Sequence, residues 1–90
     1  MKDLLKKFSK KSCCLILKET DLIKVLDILD ARRLSKNISI RKNDSSNWYI
    51  MFRATKRAWD ALIRDLDDNH IKDILIPTRD NFGDVFYQQI

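Results

Sequence analysis

The fold depends first on residues Asn37–Arg53, which read NISIRKNDSSNWYIMFR. In the first part of this stretch two isoleucines flank a serine, and after the polar residues 43–47 an apolar, aromatic-rich run follows from Trp48 to Arg53. Alternation of apolar and polar residues predicts a strand with one buried face, and a polar connection between two such strands predicts an antiparallel hairpin. We therefore predict two paired strands, at 37–43 and 48–53.

The register of this hairpin determines which side chains face solvent. If both strands send their apolar side toward a core, residue 40 pairs with residue 50, because Ile38 and Ile40 must share a face with Trp48, Ile50 and Phe52. The opposite face then carries Arg41, Tyr49, Met51 and Arg53. Because no helix is expected there, we predict an open sheet face that is basic and aromatic.

The other elements follow from their periodicity and capping residues. Ser12–Glu19 is apolar on both faces and predicts a central strand, and Asp21–Leu34 predicts a helix capped by Thr20. A second helix begins at Thr55, and Ile71–Ile76 predicts a fourth strand that Pro77 ends. The order βαββαβ predicts an α+β, ferredoxin-like sandwich with a four-stranded antiparallel sheet and two helices on one face.

We predict a single domain over residues 1–90, because a chain of this length forms one core. Its parts are a basic N-terminal arm at 1–11, the βαββαβ core at 12–77 and an apolar C-terminal tail at 78–90. The tail is too apolar to stay in solvent, so it should add a strand, cover the open sheet face or dock on a second subunit. The candidate protein interface is accordingly formed by Met51, Phe82, Val85, Phe86, Tyr87 and Ile90.

Composition excludes several kinds of chemistry. Gly83 is the sole glycine, so a glycine-rich phosphate-binding loop is absent from the sequence, and Cys13, Cys14 and His70 are too few for a structural zinc site. The longest uncharged apolar run, 12–17, is far shorter than the roughly 20 residues that span a bilayer. We expect a cytoplasmic protein that is not an enzyme, with no cofactor, no metal, no membrane contact and no small-molecule substrate.

Charge distribution indicates nucleic acid as a partner. The formal net charge is +5, and the basic residues concentrate in 1–12 and 41–58, whereas 59–90 is acidic. Cations neutralise phosphates, and an exposed tyrosine can stack on a base. The helix start at 55–57 also offers free N–H groups to a phosphate. The candidate nucleic-acid-binding residues are Lys6, Lys7, Lys10, Lys11, Arg41, Tyr49, Arg53, Thr55, Lys56 and Arg57.

The predicted topology is similar to that of RNA-recognition modules, whose two central strands carry exposed aromatic residues. In this sequence Tyr49 is the only candidate for such a residue. The topology and size also resemble those of Cas2-type nucleases, which place an aspartate at the end of the first strand. This sequence has Lys18 and Glu19 there, so the resemblance covers topology alone and implies no catalytic residue.

A second hypothesis is a protein-interaction module, such as a small inhibitor or regulator. It would bind an acidic protein partner or form a homodimer through the open sheet face and the apolar tail. An uncovered apolar face on a small protein commonly marks such an interface. The sequence alone leaves both hypotheses open.

Overall fold

A computed structural model describes residues 9–43, 45–79 and 82–88 of the chain. Three strands and two helices are formed by these residues. In chain order they are β1 (Lys11–Lys18), α1 (Glu19–Ala31), β2 (Ser39–Lys42), β3 (Asn47–Ala54) and α2 (Lys56–Asp68).

The sheet is antiparallel, with the strand order β1-β3-β2. The α+β class and the two helices agree with the prediction, but the four-stranded, ferredoxin-like sheet was wrong. The segment 71–76 makes one bridge, in which Leu75 and Ile16 exchange backbone hydrogen bonds of 2.8 and 2.9 Å. Ile71 and Ile74 are both buried in the core, although residues three apart on a strand point to opposite faces. The core therefore holds this segment in a conformation that cannot pair along its length.

Strand β1 lies at an edge of the sheet, which corrects the prediction of a central strand. It pairs along its whole length with β3. On its other side, among the described residues, it makes a single bridge, from Ile16 to Leu75. Cys13, Leu15 and Leu17 face the core, whereas Cys14 is buried on the opposite face. The two apolar faces of β1 therefore reflect cover on both sides of the sheet, not strands on both edges.

The hairpin register is the predicted one, with Ile40 opposite Ile50 and Arg41 opposite Tyr49. The loop is closed by Asn43, whose side-chain oxygen accepts hydrogen bonds from the backbone N–H groups of residues 45 and 47. All four residues of β2 are exposed, because the strand lies at the free edge of the sheet. Ile40 is consequently more exposed than its partner Ile50, which is fully buried.

The helices cover one face of the sheet and form the core with it. Their buried side chains include Val25 and Leu29 on α1 and Trp59 on α2, and the rings of Trp59 and Phe52 stack with centroids 6.2 Å apart. The predicted cap at Thr20 is wrong, because α1 begins earlier, at Glu19, and no side chain caps it. Thr55 does cap α2, since its hydroxyl accepts a hydrogen bond of 3.2 Å from a backbone N–H of the first turn.

Each helix is followed, two residues after its last residue, by a non-glycine residue in the left-handed region. These residues are Arg33 and His70, each with φ of 59°. At the end of α2 the N–H of Ile71 donates to the carbonyl of Leu66, and that of His70 to Asp67, which is a Schellman motif. A side chain at such a position carries a conformational cost that glycine avoids.

We expect His70→Gly to raise the free energy of unfolding by about 0.5–1 kcal/mol, because glycine adopts this conformation without strain. Urea denaturation followed by circular dichroism measures the change. Lys72→Gly is the matched control, since Lys72 is exposed and lies outside the left-handed region, and it should lower the stability. A loss of stability in both variants would contradict the assignment.

Candidate nucleic-acid interface

A groove of about 810 Å³ lies between the open sheet face and the tail. We call it the sheet–tail groove. Its sheet wall is lined by Ser12, Cys14, Ile16, Ser39, Arg41, Tyr49 and Met51, and its end near the hairpin loop by Lys42 and Asn43. The tail wall is lined by Pro77, Arg79, Phe82, Asp84 and Phe86.

The sheet wall is a direct product of the strand register. Tyr49 stands between Arg41 on β2 and Ile16 on β1, and Met51 stands between Ser39 and Cys14. Met51 is 40% exposed, and Tyr49 is partly buried. This face therefore combines one cation and one aromatic ring with an apolar floor.

The tail wall is a turn stabilised by its own hydrogen bonds. Arg79 and Val85 form an isolated antiparallel β-bridge, and the Arg79 guanidinium donates a hydrogen bond of 2.7 Å to the carbonyl of Gly83. Gly83 has a φ of 86°, which glycine adopts without strain. The turn presents Phe82, which is 91% exposed, whereas Phe86 is 5% exposed. One aromatic ring of the tail thus faces solvent and another is packed within the chain.

The tail is anchored on the helix layer beyond the groove. The Tyr87 and Trp59 rings lie with centroids 5.8 Å apart, and the Trp59 indole N–H donates a hydrogen bond of 3.2 Å to the carbonyl of Gln88. The ammonium groups of Lys11 and Lys56 lie 5.2 and 5.7 Å from the centroid of the Tyr87 ring. Burial raises the pKa of Tyr87. These contacts hold the tail wall in place.

A second cavity, of about 370 Å³, adjoins the groove. We call it the Lys10–Arg53 pocket. It is lined by Lys10, Lys11, Ser12, Arg53, Asp84, Val85 and Phe86. The Arg53 guanidinium donates a hydrogen bond of 3.1 Å to the backbone carbonyl of Lys10, which fixes it at this position. Ser12, Asp84 and Phe86 line both cavities, so the two lie side by side and share these residues as walls.

The predicted site at the start of α2 lies apart from both cavities. The Thr55 hydroxyl caps its own helix, and the Lys56 ammonium lies 2.7 Å from a carboxylate oxygen of Asp60. Arg57 is exposed and lines neither cavity. The pairing with Asp60 gives a structural reason for a lysine in the first turn, where the helix dipole disfavours it.

The carboxylate of Asp65 at the other end of α2 is also paired. The guanidinium of Arg32, at the end of α1, donates hydrogen bonds from two nitrogens to this carboxylate, and the bond from Nη2 to Oδ1 is 2.8 Å long. This hydrogen bonding holds the pKa of Asp65 below its ordinary value. The pair links the two helices, so this unfavourable position of an acidic residue also has a structural cause.

The structure thus brings two sets of the predicted site residues together. Arg41, Tyr49, Met51, Phe82 and Phe86 meet in the sheet–tail groove, and Lys10, Lys11, Arg53 and Val85 meet in the adjoining pocket. Tyr87 anchors the tail on the helix layer. Lys6, Lys7 and Ile90 lie outside the described residues.

Sequence reasoning missed three charged residues of the groove, Lys42, Arg79 and Asp84. Lys42 is the last residue of the edge strand and lines the end of the groove, while its ammonium lies 5.6 Å from the Trp48 ring centroid. Arg79 was detectable as the cation nearest the start of an apolar tail, but its position required knowing where the tail packs.

The two thiols show no sign of a reactive role. Burial raises the pKa of Cys13 to about 12 and that of Cys14 to about 11, so both are protonated at neutral pH. Among the residues that the structure describes, no three His, Cys, Asp or Glu side chains cluster as metal ligands would. Within the same residues, no helix has the length and apolar character needed to cross a membrane.

Comparison of the chain with protein-family models, with curated proteins and with solved structures finds no significant match in any of the three. The two topological resemblances to RNA-recognition modules and Cas2-type nucleases depended on a four-stranded sheet, whereas the described part of the chain forms a sheet of three strands.

Proposed function

We propose that this chain is a small, non-enzymatic regulatory protein that binds nucleic acid, RNA or DNA, in the sheet–tail groove. The observation that carries the proposal is the coincidence of three cations and two accessible aromatic rings in one groove. Arg41, Lys42 and Arg79 contribute the cations, and Tyr49 and Phe82 contribute the rings.

The electrostatic balance of the groove favours an anionic ligand. Its lining carries three cations against one carboxylate, that of Asp84, and Arg53 lies in the adjoining pocket. Lysine and arginine side chains bind phosphate oxygens and release counterions, which gives affinity independent of sequence. A volume of about 810 Å³ also falls within the range of sites that hold ligands of the size of nucleotides.

The proposal includes a cytoplasmic setting. Cys13 and Cys14 are free thiols, and adjacent cysteines do not close a loop that a disulfide would stabilise. A reducing compartment suits such a pair.

A protein partner or a second copy of the chain is the alternative occupant, and the exposure of Phe82 and Met51 favours it. Phe86 and Tyr87, which this hypothesis also used, are engaged within the chain. An apolar partner would leave the three cations of the groove without counterparts, so we rank nucleic acid first.

The test is fluorescence anisotropy with labelled 20-nucleotide RNA and DNA at 50 and 200 mM salt. We expect affinity to fall steeply with salt, and Arg41→Gln combined with Lys42→Gln to reduce the slope of log K against log salt by roughly 1.4–1.8. Arg79 is left intact because it holds the turn of the tail.

The control is Lys24→Gln combined with Lys72→Gln, which removes the same charge from two exposed positions that line neither cavity. It should retain most of the slope. The proposal fails if neither nucleic acid binds at 50 mM salt, or if the two double variants have equal slopes.

A further inference from the structure

We infer that the ligand is a single strand, whose base enters the sheet–tail groove while its phosphate occupies the Lys10–Arg53 pocket. This inference rests on the proposed function and specifies the form of nucleic acid. Two features of the structure carry it, namely the apolar interior of the groove and the cationic pocket that shares a wall with it.

The apolar surface of the groove lies between two walls. Its floor is formed by Cys14, Ile16 and Met51 of the sheet, and the tail stands opposite, with Phe82 at its turn. In a duplex the flat faces of the bases are stacked on their neighbours, so a duplex would present only phosphates to the rim of the groove. An unpaired base exposes its ring face and can stack on an aromatic side chain. The interior therefore selects for single strands.

Tyr49 is the residue that an inserted base would meet. Its ring lies at the centre of the sheet wall, between Ile16 and Arg41 in the strand register. A base stacked there has the Arg41 guanidinium beside it, on the β2 side. A duplex, whose bases are stacked on each other, could contact the Arg41 guanidinium here but could not stack on the Tyr49 ring.

The adjoining pocket has the chemistry of a phosphate site. Lys10, Lys11 and Arg53 line it together with Ser12. The hydrogen bond from Arg53 to the carbonyl of Lys10 uses one of the five N–H donors of the guanidinium and holds the group in place. Because Tyr49 and Arg53 lie four residues apart on β3, about 13 Å along the strand, a single strand can place a base in the groove and the phosphate of a nearby nucleotide in the pocket.

Asp84 lies where the two cavities join, and it is the carboxylate that both linings share. A phosphate that passes from the pocket to the groove comes close to this negative charge and is repelled by it. The path therefore predicts that removing this one charge tightens binding more than removing an equal charge elsewhere.

The experiment compares a labelled 12-nucleotide single strand with the duplex of the same sequence, by anisotropy at 50 and 150 mM salt. We expect the single strand to bind at least tenfold more tightly. Tyr49→Leu should weaken binding of the single strand by about 5- to 50-fold without affecting the duplex, and Tyr49→Phe, which keeps the ring, should stay close to the unmodified chain.

Asp84→Asn should tighten binding of the single strand by about threefold to tenfold relative to Asp67→Asn, which makes the same charge change on exposed surface of α2. Equal affinities in these two variants would overturn the path through the pocket. Equal binding of duplex and single strand, with no effect of Tyr49→Leu, would overturn the inference and leave the proposed function standing. Absence of binding to both would overturn the proposed function itself.

Discussion

Replacement of Trp59 by alanine is expected to lower the free energy of unfolding by about 3–5 kcal/mol. The ring is fully buried, stacks on Phe52 and contacts Tyr87, and its N–H binds the carbonyl of Gln88. Alanine leaves a cavity in the core, and it also removes the contacts of Trp59 with Tyr87 and Gln88 that hold the tail. Small domains are stable by only about 5–15 kcal/mol, so this loss is a large fraction of the total stability. Urea denaturation followed by far-UV circular dichroism measures the loss.

Trp59→Phe separates the two contributions. Phenylalanine keeps an aromatic ring beside Phe52 but cannot donate to Gln88, so we expect a smaller loss of about 1–2 kcal/mol, from the hydrogen bond and from reduced packing. If the alanine variant lost no more stability than the phenylalanine variant, Trp59 would not fill the core as described.

The second large effect concerns the thiol of Cys14, which is 3% exposed although it faces away from the helices. Burial raises its pKa from an ordinary value of 9.0 to about 11, and this lowers the thiolate fraction at neutral pH by about 100-fold. We attribute this burial to the tail, because Phe86 lines the same groove. Phe86→Ala should therefore raise the rate of labelling of Cys14 by a disulfide reagent at pH 7.5 by about 10- to 100-fold.

The control is the same substitution combined with Cys14→Ser. Cys13 then remains as the thiol of the chain, and because it is fully buried in the core, labelling should stay slow. Fast labelling in this control would mean that the whole fold had opened, whereas slow labelling of Cys14 in Phe86→Ala would show that the tail does not provide its cover.

The hairpin was predictable because two local signals agreed. Ile38 and Ile40 define one face of β2, the run from Trp48 defines one face of β3, and one register alone satisfies both. Helix α2 was predictable for the same reason, since its apolar stripe and its cap at Thr55 lie within a few residues of each other. Local agreement of this kind needs no information about distant segments.

The fourth strand was not predictable from its own residues. Ile71–Ile76 has the composition of a strand, yet Ile71 and Ile74 both turn into the core, and the segment pairs only at Leu75. Burial against distant helices overrides local preference for a strand. The assignment of β1 to the centre of the sheet failed for a related reason, because cover by a tail and cover by further strands leave the same pattern in the sequence.

The candidate site was predicted on its sheet side, and on its tail side Phe82 and Phe86 were predicted whereas the charged residues were missed. Register alone brings Arg41 and Tyr49 together, but Arg79 and Asp84 reach the groove through a turn whose position depends on distant contacts of the tail. The charges at the ends of α2 showed the opposite error. Lys56 suggested a phosphate site from sequence, and in the structure its ammonium pairs with Asp60.

The free edge of β2 carries backbone donors and acceptors on which a further strand could align. Arg41 and Lys42 lie along this edge. Like charges on two such edges repel each other, and this repulsion disfavours aggregation through edge-to-edge strand pairing. Neutralising the two cations, by bound phosphates or by mutation, removes that protection. Self-association of this molecule should then begin at β2.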